Sequence, residues 1–175
     1  MKKPIQYLLV GFPYAGKSTL ANELKNQLGF AVINIDRMKF EKGYREVGDD
    51  DVPDKVWDQI FKEADELIVK YLKEGKNLAN EYAWITKDWR DRARKVARDA
   101  GFETKIIYVN TPLEVVKARW RKNQKTKHRF DWPENEFRNY INDFEKLTED
   151  EEFIIYDQKQ TVEDWIKVNL PVTGQ

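Results

Sequence analysis

The residues best suited to chemistry form one nine-residue stretch near the start of the chain, Gly11-Phe12-Pro13-Tyr14-Ala15-Gly16-Lys17-Ser18-Thr19. An apolar run precedes it, and apolar residues at helical spacing follow it. This is the Gly-x-x-x-x-Gly-Lys-Ser pattern in the strand, loop and helix context that a phosphate-binding loop requires. Glycine lets the backbone turn successive N–H groups toward phosphate oxygens, and the N-terminus of the next helix adds partial positive charge. The stretch therefore predicts a site for a nucleoside triphosphate.

Two side chains at the end of this loop have specific expected roles. Lys17 is placed to reach the β- and γ-phosphates, so we predict that it is catalytic, and the Ser18 hydroxyl is placed to bind Mg²⁺. The residues expected to contact the nucleotide are Gly11, Tyr14, Ala15, Gly16, Lys17, Ser18 and Thr19.

Asp36 follows the second predicted strand, at the edge of the sheet where ligands of parallel α/β folds bind. One interpretation is that its carboxylate accepts the proton of an attacking hydroxyl group near the γ-phosphate. The other interpretation is structural: Asp36 caps the turn that follows Met38, or pairs with Arg37. We favour the first, because phosphoryl transfer needs such a carboxylate in addition to positioning and charge neutralisation.

Two further candidates follow the third predicted strand. Glu81 either holds a metal-bound water or an acceptor hydroxyl, or ends the strand with a salt bridge. Trp84, with its aromatic neighbours Tyr82 and Trp89, either stacks on a substrate or belongs to the core. We predict that Glu81 and Trp84 contact the substrate.

Seven basic residues and no acidic one occur between Lys117 and Arg129. A solvated helix end is the ordinary interpretation of such a run. Its position after the fourth predicted strand, and the need for Arg donors around a transferring phosphoryl group, favour a closing lid over about residues 119–134. His128 has no partner acid or nucleophile nearby in the sequence, and we expect no catalytic role for it.

The composition narrows the class of protein. The 175 residues suit one domain with a sizeable core, and 31 Lys and Arg balance 31 Asp and Glu. A net charge of zero gives no overall field for binding nucleic acid or a membrane. The absence of cysteine excludes disulfides, thiolate metal sites and Cys nucleophiles. The apolar run before the loop is too short for a signal or membrane-spanning segment, so we expect a cytoplasmic protein.

The elements around these residues are predicted to alternate between strands and helices. Five short apolar runs are expected to be buried strands, at 5–10, 31–35, 77–79, 106–109 and 153–156. Apolar residues at helical spacing occur at 56–72, 89–100, 137–147 and 162–166, and Pro112 opens a further helix with Thr111 as its cap. We therefore predict an α/β fold, a parallel sheet between two layers of helices, in a single domain over residues 1–175.

Four motifs together resemble a known family. They are the loop 11–20, Asn34-Ile35-Asp36 with Lys39, Thr111-Pro112-Leu113-Glu114 with Arg119, and the run 144–153. Over nearly its whole length the chain is similar to the P-loop kinases of the polynucleotide-kinase type. The resemblance implies a P-loop NTPase fold like that of nucleoside kinases, with a lid and a five-stranded parallel sheet in the order 2-3-1-4-5. It also implies ATP and Mg²⁺ as cofactors.

The same resemblance implies roles for individual residues. Asp36 would be the general base, Arg119 would lie near the adenine or the phosphates, and Arg121 or Arg129 would stabilise the transferring group. Lys39 stands where an Arg usually contacts the phosphate of the acceptor. Lysine cannot make the two parallel hydrogen bonds by which an arginine recognises a phosphate. The sequence also departs from the family after the third strand, where Glu81 begins Glu-Tyr-Ala in place of the common Asp-x-Thr or Asp-x-Asn. Both departures concern the acceptor rather than phosphoryl transfer.

These observations lead to one hypothesis and two alternatives. We predict an ATP-dependent kinase that transfers the γ-phosphoryl group to a hydroxyl of a small molecule, such as a nucleoside, a sugar or an aminocyclitol antibiotic. The first alternative is a polynucleotide 5′-hydroxyl kinase, which is disfavoured because the acidic stretch 46–54 would repel a phosphate backbone. The second is a nucleotide-dependent switch or binding module without an acceptor, which does not need Asp36 as a base.

Overall fold

The computed structural model describes residues 3–170, and its centre is one sheet of five parallel strands. The strands are β1 (Ile5–Val10), β2 (Ala31–Asn34), β3 (Leu78–Glu81), β4 (Glu103–Val109) and β5 (Phe153–Tyr156). Their spatial order is β2-β3-β1-β4-β5, and every neighbouring pair is parallel. The predicted α/β fold and strand order are confirmed.

Helices connect the strands and cover both faces of the sheet. They are α1 (Lys17–Leu28), α2 (Ile35–Glu41), α3 (Asp54–Lys73), α4 (Lys87–Asp99), α5 (Leu113–Thr126), α6 (Glu134–Asn142) and α7 (Val162–Asn169). A short 3-10 turn, Asp49–Asp51, leads into α3. The short helix α2 was not predicted, because its few apolar residues do not form a stripe long enough to recognise.

The core consists of two apolar clusters, one on each face of the sheet. Successive residues of a strand point to opposite faces, so Leu9 packs with Leu24 of α1 while Leu8 packs with Ile68 of α3. All four side chains are fully buried. The central strand β1 is therefore apolar at every position except Gln6, as expected for a parallel sheet covered on both sides.

The helix predicted at 137–147 is shorter than expected and ends at Asn142. Phe137 belongs to the cluster that contains Leu24, whereas Phe144 belongs to the other cluster and stacks on Tyr108 at 6.0 Å between ring centroids. The apolar side of one straight helix can pack against only one face of a sheet. The chain therefore leaves the helix and crosses the edge of the sheet, although its sequence keeps helical spacing.

A buried ion pair holds this crossing in place. Arg90 donates to both carboxylate oxygens of Glu151, at 2.6 and 3.0 Å, and neither side chain is exposed. Arg90 also donates to three backbone carbonyls, two of them in the loop after β3. Burial opposes ionisation of Glu151, but hydrogen bonds from Arg90 and Thr148 hold the pKa of this carboxyl below its usual value.

Replacing Arg90 with Leu should lower the free energy of unfolding by about 3–5 kcal/mol, because the Glu151 carboxylate is left buried without its partner. Urea denaturation followed by tryptophan fluorescence measures this loss. Arg92→Leu on the same helix is the matched control: its pair with Asp65 is 43% and 28% exposed and should contribute less than about 1 kcal/mol. Equal losses in the free energy of unfolding of the two variants would contradict the larger contribution that we expect from the buried pair.

Candidate active site

The loop between β1 and α1 is tightly curled. Tyr14 and Gly16 have φ angles of 65° and 107°, and positive φ values of this kind shape the concave backbone of an anion-binding nest. A Cβ at Gly11 would lie 2.8 Å from the carbonyl oxygen of Val109. A Cβ at Gly16 would lie 2.9 Å from Nε2 of Gln158. The structure thus explains both glycines: Gly11 by its close contact with backbone, and Gly16 by its positive φ, since the Gln158 side chain could move.

Lys17 begins α1 and is almost fully buried at the mouth of the loop. Its Nζ donates to the carbonyls of Gly11 and Phe12, at 2.8 Å each. Burial lowers the pKa of Lys17, while the nearby carboxylates of Glu81 and Asp36 oppose that effect. The ammonium therefore lies within the loop and beside two acidic side chains.

Ser18 and Glu81 are in direct contact. The Ser18 hydroxyl donates to Oε1 of Glu81, and the Asn34 side chain donates to Oε2 at 2.8 Å. Glu81 makes no ion pair within residues 3–170, so the interpretation that it ends the strand with a salt bridge is wrong, and its contact with a metal-bound water or an acceptor hydroxyl stays a prediction. Hydroxyl and carboxylate oxygens are ligands that suit Mg²⁺, which also takes phosphate and water oxygens.

Asp36 lies in the first turn of α2, partly buried. The structural interpretation of this residue is wrong on both counts, because Asn34 caps the helix through the Arg37 N–H, and Arg37 pairs with Glu41 at 2.8 Å. The Asp36 carboxylate accepts no hydrogen bond from residues 3–170. Its oxygens are therefore free to act on a ligand.

The surroundings of Asp36 favour its protonated form. Burial, then the carboxylates of Asp49 and Glu81, raise the pKa of Asp36 to about 7, against the opposing charges of Lys17 and Lys39. A group with this pKa exchanges protons near neutral pH, which is the property required of a general base.

The ammonium of Lys39 is paired within the protein. We expected its ammonium to contact an acceptor, but Nζ donates to Oδ1 of Asp49 and to the carbonyl of Val47, both at 2.8 Å. The side chain is 1% exposed, and Oδ2 of Asp49 also accepts a hydrogen bond from Tyr140 at 2.5 Å. Lys39 lines the same cavity as Asp36, but its charge is paired with Asp49 within the protein, so its contact with an acceptor phosphate stays a prediction.

Two cavities share the phosphate-binding loop. The first, of about 360 Å³, is lined by Lys17, Ser18, Asp36, Glu81 and Arg129 among other residues. The second, of about 400 Å³, is lined by Thr19, Arg119, Tyr156 and Gln158 among others. Tyr14, Gly16, His128 and Arg129 line both. One elongated ligand can therefore lie across the loop, with its ends in different cavities.

The three arginines predicted for this site have different positions. Arg119 donates to the carbonyls of Tyr14 and Ala15, at 3.0 and 3.3 Å, and lines the second cavity. Arg129 lines both cavities. Arg121 is exposed on α5 and lines neither cavity, so of the two candidates for the transferring phosphoryl group only Arg129 lies at the site.

The segment 119–134 comprises the end of α5, a connecting loop and the start of α6. Tyr14 of the phosphate-binding loop donates its hydroxyl hydrogen to the carbonyl of Phe130 at 2.9 Å. Asn123 bonds to the Tyr14 hydroxyl at 3.2 Å and to the Phe130 carbonyl at 3.3 Å. The basic segment is thus tied to the nucleotide loop through the Tyr14 side chain as well as through Arg119.

Gln158 and Thr111 are site residues whose roles the sequence did not reveal. Gln158 accepts a hydrogen bond from Arg119 at 3.0 Å and donates to Ala15 O and to the Thr111 hydroxyl. The Thr111 hydroxyl donates to Ala15 O at 2.7 Å, so the prediction that Thr111 caps α5 is wrong. Both residues closely follow strands, at the carboxyl edge of the sheet, and that position is the signal that marks them.

Trp84 also requires a correction. The ring is 2% exposed, its Nε1 donates to the carbonyl of Asn80 at 3.2 Å, and it packs edge-on against Tyr82 at 5.5 Å. Trp84 lines neither of the two cavities and cannot stack on a substrate there. Its large apolar surface belongs to the core.

A family model described as an AAA domain matches residues 7–147. The chain belongs to this AAA-domain family. No curated protein matches the sequence of this AAA-domain protein at a significant level. Within residues 3–170, its helices include none that is both long and apolar enough to cross a membrane.

Several solved structures share the fold of this AAA-domain protein. A sugar kinase from Janibacter sp. HTCC2649 superposes with a TM-score of 0.68 and 17% identity, over 94% of this chain and 91% of that chain. APS kinase CysC from Mycobacterium tuberculosis, solved with AMPPNP and APS, gives 0.67 and 14% over 95% of both chains. A chain of the Pnkp1/Rnl/Hen1 RNA repair complex gives 0.67 and 18%, over 82% of this chain and 45% of that chain. The shared fold is that of P-loop kinases, and at these identities it does not single out the polynucleotide-kinase type.

Proposed function

We propose that this AAA-domain protein is an ATP- and Mg²⁺-dependent kinase that transfers the γ-phosphoryl group to a hydroxyl of a small molecule. The observation that carries the proposal is the position of Asp36, which lines the same cavity as Lys17 and Ser18 and accepts no hydrogen bond from residues 3–170. A nucleotide switch needs a phosphate-binding loop and a metal site, but it does not need a free carboxylate with a pKa of about 7 beside them.

The residues around the loop divide the work of binding the nucleotide. The loop backbone and Lys17 would hold the phosphates, and Ser18 with Glu81 would hold Mg²⁺, which neutralises charge on the β- and γ-phosphates. Arg119 would contact the nucleoside end, because it lies in the second cavity beside Gln158. Arg129 would donate to the γ-phosphoryl group as its charge is redistributed in the transition state.

Asp36 would handle the proton of the acceptor. The hydroxyl lies between this carboxylate and the γ-phosphorus, its oxygen forms the new P–O bond, and the bond from the γ-phosphorus to the bridging oxygen breaks to release ADP. Asp36 takes the hydroxyl proton and later returns it to water. A carboxylate with a pKa of about 7 is ionised in a large fraction of molecules at neutral pH and is still basic enough to accept this proton.

Three observations support a small acceptor over a nucleic-acid end. The cavity at Asp36 has a volume of only about 360 Å³. In addition, the cation expected to hold a terminal phosphate, Lys39, is paired with Asp49. A polyanion would also meet an acidic surface beyond the active site, since Asp50 and Asp51 lie in the 3-10 turn and Asp54 begins α3. The favoured acceptors are therefore uncharged or cationic hydroxyl compounds.

Steady-state ATP turnover with and without added acceptors tests this proposal. We expect a sugar, nucleoside or amino sugar to accelerate ADP formation well above the rate of hydrolysis in its absence. A 5′-hydroxyl oligonucleotide serves as the comparison substrate. If the oligonucleotide is phosphorylated faster than every small molecule, with strong salt dependence, the small-molecule assignment fails; if no acceptor accelerates turnover, the switch is favoured.

The segment 119–134 should become more protected from amide hydrogen exchange when an ATP analogue binds. Most of its basic charges have no acidic partner within residues 3–170, and a bound polyphosphate offsets their mutual repulsion. Mass spectrometry of peptides that cover 119–134, with and without AMPPNP and Mg²⁺, measures the effect. Peptides of α3 provide the internal control. Unchanged exchange across 119–134 would exclude a nucleotide-dependent lid.

A further inference from the structure

A third cavity, of about 430 Å³, lies on the other side of Tyr140 from the Asp36 cavity. It is formed by the 3-10 turn, the end of β3, the start of α4 and one face of α6. We call it the acidic cavity. Asp49, Tyr82 and Tyr140 form one of its sides, and the other residues that define it are Asp50, Asp54, Trp57, Trp89, Glu136 and Asp143. The phosphate-binding loop contributes nothing to it.

The acidic cavity carries a strong excess of negative charge. Five of its twelve lining residues in the described chain are Asp or Glu, and none is Lys or Arg. Only Asp49 is neutralised, by Lys39. The other four carboxylates, those of Asp50, Asp54, Glu136 and Asp143, form no ion pair within residues 3–170. Their field favours a cationic ligand and repels an anionic one.

Glu136 supplies the second, independent observation. This side chain is only 7% exposed, and its Oε2 is buried without any hydrogen-bond partner. A Cβ at Gly48 would overlap the Glu136 carboxylate, so glycine is needed at position 48 for the carboxylate to sit where it does. A buried carboxylate oxygen without a donor is unfavourable, and a ligand N–H group would satisfy it. Burial and the nearby Asp49 and Asp50 raise the pKa of Glu136, and a cation bound beside it would favour the ionised form.

Aromatic rings provide the remaining walls. Trp89 stacks on Tyr82 at 5.6 Å between centroids, and Trp57 lies 6.3 Å from the same tyrosine. Trp89 is unusual among the tryptophans because 40% of it is exposed. The faces of such rings attract cations and pack against carbon frameworks. No group of three or more His, Cys, Asp or Glu side chains in residues 3–170 could hold a metal ion, which favours an organic cation over a metal.

We propose that the acidic cavity binds a primary ammonium or guanidinium group of the hydroxyl acceptor, which would make the acceptor an amine-bearing alcohol such as an amino sugar. The unpartnered oxygen of Glu136 requires a hydrogen-bond donor and the negative charge of the cavity favours a cation, so a primary ammonium or guanidinium satisfies both, whereas a quaternary ammonium has no donor. Tyr140 lines both the acidic cavity and the Asp36 cavity, so the two are neighbours, and an acceptor that reaches past this side chain would have its cation in the acidic cavity and its hydroxyl at Asp36. The inference rests on the proposed function, because it assigns the cation to the acceptor of that reaction.

Binding of simple probes tests the site without any reaction. Cyclohexylamine, cyclohexanol and N,N,N-trimethylcyclohexylammonium share one carbon ring but differ in charge and N–H donors. We expect calorimetry to show that cyclohexylamine binds roughly 10- to 100-fold more tightly than either of the other two, because it alone offers a charge-assisted hydrogen bond. Equal affinities for the three probes, or no binding of the amine, would overturn the inference.

Two variants locate the binding. Glu136→Gln should weaken cyclohexylamine binding about tenfold or more, whereas Glu134→Gln, on the same helix and exposed beside Arg138, should leave it unchanged. Trp89→Ala should also weaken it, and the exposure of Trp89 makes misfolding of this variant a minor concern. If the amine binds but neither Glu136→Gln nor Trp89→Ala changes its affinity, it binds elsewhere and the inference is wrong.

Turnover then separates this inference from the proposed function. Among matched pairs of amino and hydroxy sugars, the amino member should have at least about tenfold higher kcat/KM, and Glu136→Gln should remove that advantage through KM. If hydroxy sugars are phosphorylated as fast as amino sugars, the proposed kinase activity is supported. The inference that the acidic cavity selects amine-bearing acceptors is then wrong. If cyclohexylamine binds through Glu136 but no hydroxyl compound is phosphorylated, the proposed function fails, and the assignment of the cation to an acceptor fails with it.

Discussion

Replacing Asp36 with Asn should lower the rate of phosphoryl transfer by roughly 10²–10⁴-fold while the affinity for ATP changes little. Asparagine keeps the shape of the side chain but cannot accept the proton of the acceptor hydroxyl. Acceptor-dependent ADP formation measures the rate, and titration with AMPPNP measures the affinity. Glu41→Gln, at the exposed end of the same helix, is the control and should keep full activity. A parallel loss of rate and ATP affinity would show that Asp36 holds the metal instead.

The pH dependence of the wild type gives a second readout of Asp36. Its pKa of about 7 means that kcat/KM should fall tenfold per pH unit below that value as the base becomes protonated, and Asp36→Asn should lose this dependence. Because the pKa is raised in the folded state, the wild type loses stability as the pH rises from about 4 to about 7. At pH 8 the free energy of unfolding of Asp36→Asn should therefore exceed that of the wild type by on the order of 1–3 kcal/mol. The two free energies should converge near pH 4.

Replacing Lys17 with Ala should lower the rate of transfer by on the order of 10²–10³ or more, because a positive charge placed at the phosphates is lost from a water-poor site. The variant should remain folded, since the ammonium contacts only loop carbonyls and the apolar core is untouched. Circular dichroism and thermal unfolding check this point.

Lys25→Ala is the matched control for Lys17, because Lys25 lies on the same helix, exposed in its last turn. It should retain wild-type activity. Since Lys17 also lowers the pKa of Asp36, the residual activity of Lys17→Ala should shift to higher pH. Activity of Lys17→Ala within a few-fold of the wild type would mean that the loop is not the catalytic site.

The fold and the nucleotide loop were predictable because each depends on local sequence. Glycine at positions 11 and 16 indicates backbone angles that few other residues allow. The apolar run before them indicates the buried strand. The alternation of strands and helices predicts a covered parallel sheet, since only a crossover connection can join parallel strands. Asp36 was predicted from its position directly after a predicted strand, and the structure places it in the cavity that Lys17 and Ser18 line.

The acceptor side was less predictable because it depends on contacts between residues distant in sequence. The pairing of Lys39 with Asp49 and the burial of Trp84 follow from packing, and neither residue type nor spacing reports packing. The Arg90–Glu151 pair joins residues 61 positions apart, and Gln158 reaches the loop from the far end of the chain. Helical periodicity in 137–147 was misleading, since its two halves pack on opposite faces of the sheet.

The most direct test of the kinase is to identify the phosphorylated product by ³¹P NMR. Wild-type protein is incubated with ATP, Mg²⁺ and each candidate acceptor, with Lys17→Ala and Asp36→Asn in parallel. The structure predicts a phosphomonoester resonance that grows in equal amount with ADP for the wild type and is strongly reduced in both variants. ADP accompanied only by inorganic phosphate, with every acceptor, would contradict the assignment of this site to phosphoryl transfer.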